Sequence, residues 1–484
     1  MDEPPPYVDG GTPEKKRFSQ KAIESGEAIA ERNRERSRFC MNWNGKQTCL
    51  SARAGTRAEI QGSDLPEALV DHGPSNGATG IVRGLEELEK LGLMRAKLST
   101  QPWSDDYWGH YKGIVGARYA DPGFPGAHPD LAAGFNWKAN YQYVRNHPAE
   151  QIARKGTDDD VKLLSPSEKY ELLIGDKNFS ITERMWRRGE RYYESEGKVD
   201  LWMGICHGWA PAALMLPRPS NMLRLKSADG THEIKFYPSD LKALADLLWA
   251  EGEYDSRFIG GRCDESHPRQ DENGRIIRQE CFDTNPGSWH LAITNQLGIA
   301  HRGLIMDASY DERIWNQPVL GYTYHYFNPK SMKQVDSFAE ARVSMDAFAG
   351  DKFKRYRSKK TKSVVGVVMD TTYVAETHPS HAHEDSAAKD RLRTIRYIYD
   401  LELDSNGSII GGEWYMNQHP DFLWVPAQGT HAVSDYEKLA TGTWGASGFL
   451  PDSWLSAARE ASEDGLPLAK IIEVMISKSA SMPQ

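Results

Sequence analysis

The chain has 484 residues, too many for one ordinary hydrophobic core, so two or three domains are expected. Hydrophobic residues make up 39% and charged residues 26%, the balance of a globular protein, and a net charge of −9 lacks the basic excess of a nucleic-acid binder. No run reaches the roughly 18 apolar residues of a membrane-crossing helix, so composition directs attention to a folded enzyme or binding module.

Residues 1–38 open with Met1-Asp2-Glu3-Pro4-Pro5-Pro6 and continue dense in Lys, Arg and Glu. They read as a polar tail or pro-segment, without the apolar stretch of an export leader. Residues 39–160 form an expected first domain, largely irregular because Gly, Pro and Asp are frequent through 119–135. An expected catalytic domain covers 161–345. It begins at Ser165-Pro166-Ser167-Glu168, a helix start with Pro in the first turn. A second helix is predicted over Thr182 to Glu196. Residues 346–484 form an expected β-rich domain with a helical tail. Val364 to Val374 is rich in β-branched residues, Thr394 to Leu403 alternates, and Asp404-Ser405-Asn406-Gly407 is a hairpin turn. Trp454 to Ala480 reads as one or two amphipathic helices.

Five cysteines divide unevenly. Cys40 and Cys49 flank a short loop, Cys263 and Cys281 flank a polar loop rich in Asp, Arg and Gly, and both pairs are expected to be disulfides, with five reduced thiols as the alternative. Cys206 stands apart, in Gly204-Ile205-Cys206-His207-Gly208-Trp209-Ala210-Pro211-Ala212-Ala213. Small and apolar residues follow it in a helical run, which puts the thiol at a helix start. There the unsatisfied N–H groups and the helix dipole favour thiolate, the nucleophilic form. The alternative is a buried structural cysteine.

Pro286-Gly287-Ser288-Trp289-His290-Leu291 is read as the entrance to a strand carrying His290 as general base. Leu304-Ile305-Met306-Asp307 is read as a neighbouring strand that ends on a carboxylate able to orient that imidazole. Trp202 is a candidate oxyanion donor. His207 is a rival base, turned away from Cys206 by its adjacent helical position. The run His378-Pro379-Ser380-His381-Ala382-His383-Glu384-Asp385 and the triplet Asp158-Asp159-Asp160 hold metal-ligand residue types, and both read better as charged surface loops.

Gly-Ile-Cys-His-Gly-Trp, Trp-His and Met-Asp-Ala-Ser resemble the core motifs of the transglutaminase-like superfamily. Trp315-Asn316-Gln317-Pro318-Val319-Leu320-Gly321 resembles the Trp-Asn-Gln-Pro-Val signature of the oomycete transglutaminase elicitors and their bacterial relatives. Leu164 to Tyr170, Gly411-Gly412-Glu413-Trp414 and His419 to Trp424 extend the resemblance over roughly 100–430. It implies an α+β fold with a papain-like, transglutaminase-like catalytic core. The implied activity joins glutamine side chains of proteins to lysine or other primary amines, through a thioester on Cys206; transfer in place of hydrolysis then calls for a water-poor acceptor tunnel, with Trp209, Trp289 and Trp315 as candidate walls and ordinary core packing as the alternative for each. It further implies a secreted enzyme whose chemistry needs no cofactor, with calcium as a candidate regulator, and a Trp-Asn-Gln-Pro-Val stretch lying on the surface. The residues alone leave two alternatives: a papain-like cysteine peptidase or amidase, and a non-catalytic effector or adhesion module.

Overall fold

The computed structural model describes residues 38–482 except 44–45, 52–58, 61, 72–79, 129–131, 262–268, 270–277, 279–282, 309–312 and 416–418; for 38–51 it describes the backbone alone. Helix α1, Pro166–Ile174, starts where Ser165 and Glu168 form a reciprocal capping box. Helix α2 is Ser180–Glu196. Polar residues near the start of α1 are sealed inside: the Lys169 ammonium meets Asp240 at 2.7 Å, with neither side chain exposed. Helix α3, Cys206–Met215, and helix α4, Pro238–Glu251, lie against each other with almost no side chain between them at one point. A Cβ on Gly208 would stand 2.0 Å from the carbonyl oxygen of Asp246, so only glycine permits that approach.

The central sheet contains β1, Ser256–Gly260; β2, Ile305–Asp307; β3, Asn316–Asn328; β4, Ser363–Ala375; β5, Arg391–Leu403; β6, Ile409–Trp414; and β7, Phe422–Pro426. Their order is β6-β5-β4-β3-β2-β7-β1, with every neighbouring pair antiparallel. This is an α+β architecture, as expected. The sheet runs through the anticipated boundary at 345/346, because β3 pairs with β4 from Val319 opposite Tyr373 to Phe327 opposite Gly366. A bulge near Gly321 adjusts the register.

Register sets the faces. Directly opposed residues on antiparallel strands project to the same side. Asp307 is opposite Asn316, Ile305 is opposite Pro318, and Trp424 is opposite Ile305, so these share one face. Met306, Val319, Tyr322, Tyr324 and Tyr399 belong to the other face and to a second apolar core. Helix α3 packs on the first face, where Ala210 joins Ile305, Ile314, Phe422 and Trp424.

The segment around His290 is a helix, not the expected strand: α5 covers Pro286–Ile293. Asn285 caps it by accepting from the Gly287 N–H at 2.8 Å, and Pro286 occupies the first turn. Together these outweigh the β-prone Leu291-Ala292-Ile293. Helix α5 packs on the second face, nearly backbone to backbone: a Cβ on Gly287 would lie 3.0 Å from the Gly411 Cα. The expected C-terminal helices are α6, Asp452–Glu463, and α7, Ala469–Ser481. No described helix is long and apolar enough to cross a membrane.

Cys40 and Cys49 face each other in the backbone register of an N-terminal hairpin. Their side chains, and Cys263 and Cys281 entirely, lie outside the described residues, as do residues 1–37 of the tail expected over 1–38.

Candidate active site

Cys206 is the first residue of α3, as its sequence surroundings predicted. Two segments hold it there. The Ile205 N–H donates to the Tyr107 carbonyl at 2.7 Å, and the Trp209 indole donates to the Trp103 carbonyl at 2.9 Å. The Trp103–Trp108 cluster is therefore the platform under helix α3. Trp209 itself is fully buried and anchors the helix through this bond.

The sulfur faces the start of β3. The Asn316 side-chain amide donates to Sγ at 3.6 Å, and the thiol donates to the Ile314 carbonyl at 3.7 Å. Asn316 is oriented from behind by Trp424, whose indole donates to Oδ1 at 2.8 Å. An indole N–H only donates, so it requires the amide oxygen on its side and leaves the NH2 group toward sulfur. The Asn316 backbone N–H also points at the sulfur. Sequence analysis placed Trp-Asn-Gln-Pro-Val on the surface. Here Asn316 and Gln317 are buried, and only Trp315 is partly exposed, its ring 5.2 Å from Tyr107 in an edge-on contact.

The thiol is sealed, at 2% exposure. Burial pushes its pKa up to about 11; the two Asn316 donors pull it down, and the negative charges of Glu376 and Asp307 push it up again. The helix start was expected to lower this pKa, but loss of hydration outweighs the dipole. Asp307 accepts from the Trp315 N–H at 3.0 Å and projects to the same face as Asn316. Glu376, its own pKa raised by burial, is bridged to the strand by the Gln317 amide.

His290 belongs to the other side of the sheet. It is fully buried, its Nδ1 lies 2.8 Å from the Tyr399 hydroxyl, and its ring meets Tyr324 edge-on at 4.8 Å. Its Nε2 has no hydrogen-bond partner among the described residues. Burial lowers its pKa to about 3, so the imidazole is neutral. The three expected residues are thus split, with Cys206 and Asp307 on one face and His290 on the other. Trp289 goes with His290 and is fully buried against Tyr397. Trp202 is partly buried in the turn before α3. Asn316, Trp424, Glu376 and Tyr107 were missed as site residues. The first two sat inside recognised motifs, but nothing local in the sequence says that their amide and indole meet.

The two metal-ligand runs are otherwise engaged. His381 stacks on Tyr237 at 4.0 Å, and Asp385 pairs with Arg218 at 2.8 Å. Asp158–Val161 is one helical turn capped by Thr157, with Asp159 paired to Lys162 at 2.9 Å.

A family model described as transglutaminase elicitor matches residues 81–435. Comparison with curated proteins returns no match. Among solved structures, the GP42 transglutaminase from Phytophthora sojae is similar at 20% identity, over 79% of this chain and 94% of that one, with a TM-score of 0.48. The matched span takes in Cys206, Asp307, Asn316 and Trp424, and on its extent the protein belongs to the transglutaminase elicitor family.

Proposed function

We propose that the protein is a cysteine acyltransferase acting on glutamine side chains, with Cys206 as nucleophile and Asp307 as its carboxylate partner. The observation that carries the reading is the Asn316 amide aimed at sulfur and held in that orientation by Trp424. Two N–H donors on a sealed sulfur serve little purpose for a structural thiol and stabilise a thiolate. In the reaction, sulfur adds to the γ-carboxamide carbon. A C–S bond forms, the C–N bond breaks, and the thiol proton leaves on ammonia by way of Asp307. A primary amine then attacks the thioester, forms the new amide and returns a proton to sulfur; water in its place gives glutamate. The partly exposed rings of Tyr107 and Trp315 flank the approach. On this reading His290 supports the core through Tyr399. The expected setting is outside the cell, on protein substrates that carry glutamine and lysine.

A fluorescent alkylamine offered with a glutamine-rich protein, with and without calcium, tests the proposal. Wild type should incorporate the amine and release ammonia, and Cys206→Ala should do neither. Cleaved peptide bonds without conjugate would indicate a peptidase. A second reading, a non-catalytic scaffold, is favoured by the 2% exposure of Cys206. It requires that native wild type show neither incorporation nor thiol alkylation.

A further inference from the structure

A second polar cluster closes the foot of α5. Asp283, His419 and Asp421 each present a ligand-type atom, and these atoms all lie within 4.8 Å of one another. His419 is 2% exposed and Asp283 8%. The His419 ring stacks on Trp414 at 5.0 Å and 14°, which fixes its plane. Trp414 is itself tied down, since its indole donates to the Thr284 carbonyl at 2.9 Å. The Asp421 carbonyl accepts from the Thr284 N–H at 3.0 Å, so the two segments that carry the cluster are locked together.

One atom makes this more than a group of polar residues. Asp283 Oδ2 is buried and has no hydrogen-bond partner among the described residues. It stands 3.7 Å from His419 Nε2, beyond hydrogen-bond length. Nearby, Asp64 accepts from the Asn285 N–H at 2.7 Å through Oδ2, while its Oδ1 is likewise buried and unpartnered among the described residues. A buried carboxylate oxygen without a partner is destabilising by about 1–3 kcal/mol or more. Two ligands bound at about 2.0–2.2 Å to one ion sit roughly 3–3.5 Å apart, close to the observed gap.

We propose that Asp283, His419 and Asp421 form a binding site for a divalent first-row transition metal. One imidazole with two carboxylates suits manganese, cobalt or zinc; calcium and magnesium prefer all-oxygen shells. The ion would clamp the entrance of α5 to the entrance of β7, the strand that carries Trp424. The site does not depend on the acyltransferase reading.

Full-length protein cleared of metal by chelator and dialysis is titrated with cobalt(II), followed by absorption, and with manganese(II), followed by calorimetry. The expected result is one ion per chain, visible-region cobalt bands without thiolate charge transfer, and a raised melting temperature. Cys206→Ala should bind as wild type does. His419→Gln and Asp283→Asn should weaken binding by more than the roughly 10- to 100-fold that outer-shell changes cause. If wild type takes up neither ion at stoichiometric level, the proposal is overturned without recourse to the variants. Calcium binding unaffected by His419→Gln would overturn it too, as would cobalt bands dominated by thiolate.

Discussion

Helices α3 and α5 are both short, apolar and almost wholly buried, and each carries a residue with catalytic potential against the same sheet. Their surroundings make them opposites. On the α3 side, sulfur meets an oriented amide, a backbone donor and two nearby carboxylates. On the α5 side, the imidazole meets tyrosine rings and one hydroxyl. A reactive residue type is therefore not a site. What distinguishes the two helices is whether the strand residues beneath can exchange protons or stabilise charge.

The sharpest way to break this comparison is to substitute the Cys206 thiol and the His290 imidazole in turn. Cys206→Ala should lower amine incorporation by at least about 10^3-fold. His290→Gln should leave native thiol alkylation unchanged and act on stability. Loss of incorporation in a folded His290→Gln protein with an unchanged melting temperature would restore His290 to the chemistry. Next in size, Asn316→Ala should reduce the rate by about 10^2-fold, as loss of one oriented donor does. It should also move the pH dependence of alkylation upward, which a merely structural asparagine would not do.

The helix contacts sharpen the comparison further. A methyl at residue 208 meets backbone at 2.0 Å, whereas one at 287 meets its neighbours at 3.0 Å. Gly208→Ala should therefore lower stability by about 2–4 kcal/mol and Gly287→Ala by less, as read from denaturant midpoints.

The smallest effect, taken per pH unit, concerns titration, and the two sides should respond with opposite signs. Burial lowers the folded-state pKa of His290 to about 3 from 6.5. Between these values the unfolded chain takes a proton that the folded chain refuses, so stability falls as pH drops through that window. On the α3 side, burial raises the pKa of Asp105 to about 7 from 3.8. There the folded chain holds the extra proton. That contribution is complete below 3.8 and is lost as pH rises toward 7. Each limb should approach about 1.4 kcal/mol per pH unit. His290→Gln should flatten the acid limb and Asp105→Asn the other. Unchanged limbs in folded variants would mean that water reaches these groups.

Much of this protein was legible along the chain. Ser165-Pro166-Ser167-Glu168 announced its helix because a capping box lies within four residues. Val364 to Val374 announced its strand because β-branched side chains suit a pleated surface. Cys206 at a helix start and Asp307 at a strand end were read from the same local rules. His290 was misread because Asn285-Pro286, a helix-start signal, competed with a β-prone run that followed it.

Sequence by itself determined these elements and singled out Cys206 as the candidate nucleophile, since capping, branching and periodicity act within a few residues. Only the tertiary structure decided the partners. The parity of β2 and β3 places Asp307 and Asn316 on one face of the sheet and Tyr324, with His290, on the other. Such parity comes from strand register, set by hydrogen bonds between segments distant in the chain. Burial then fixed the charge states, keeping the thiol protonated and the imidazole neutral where their residue types alone predict a reactive pair.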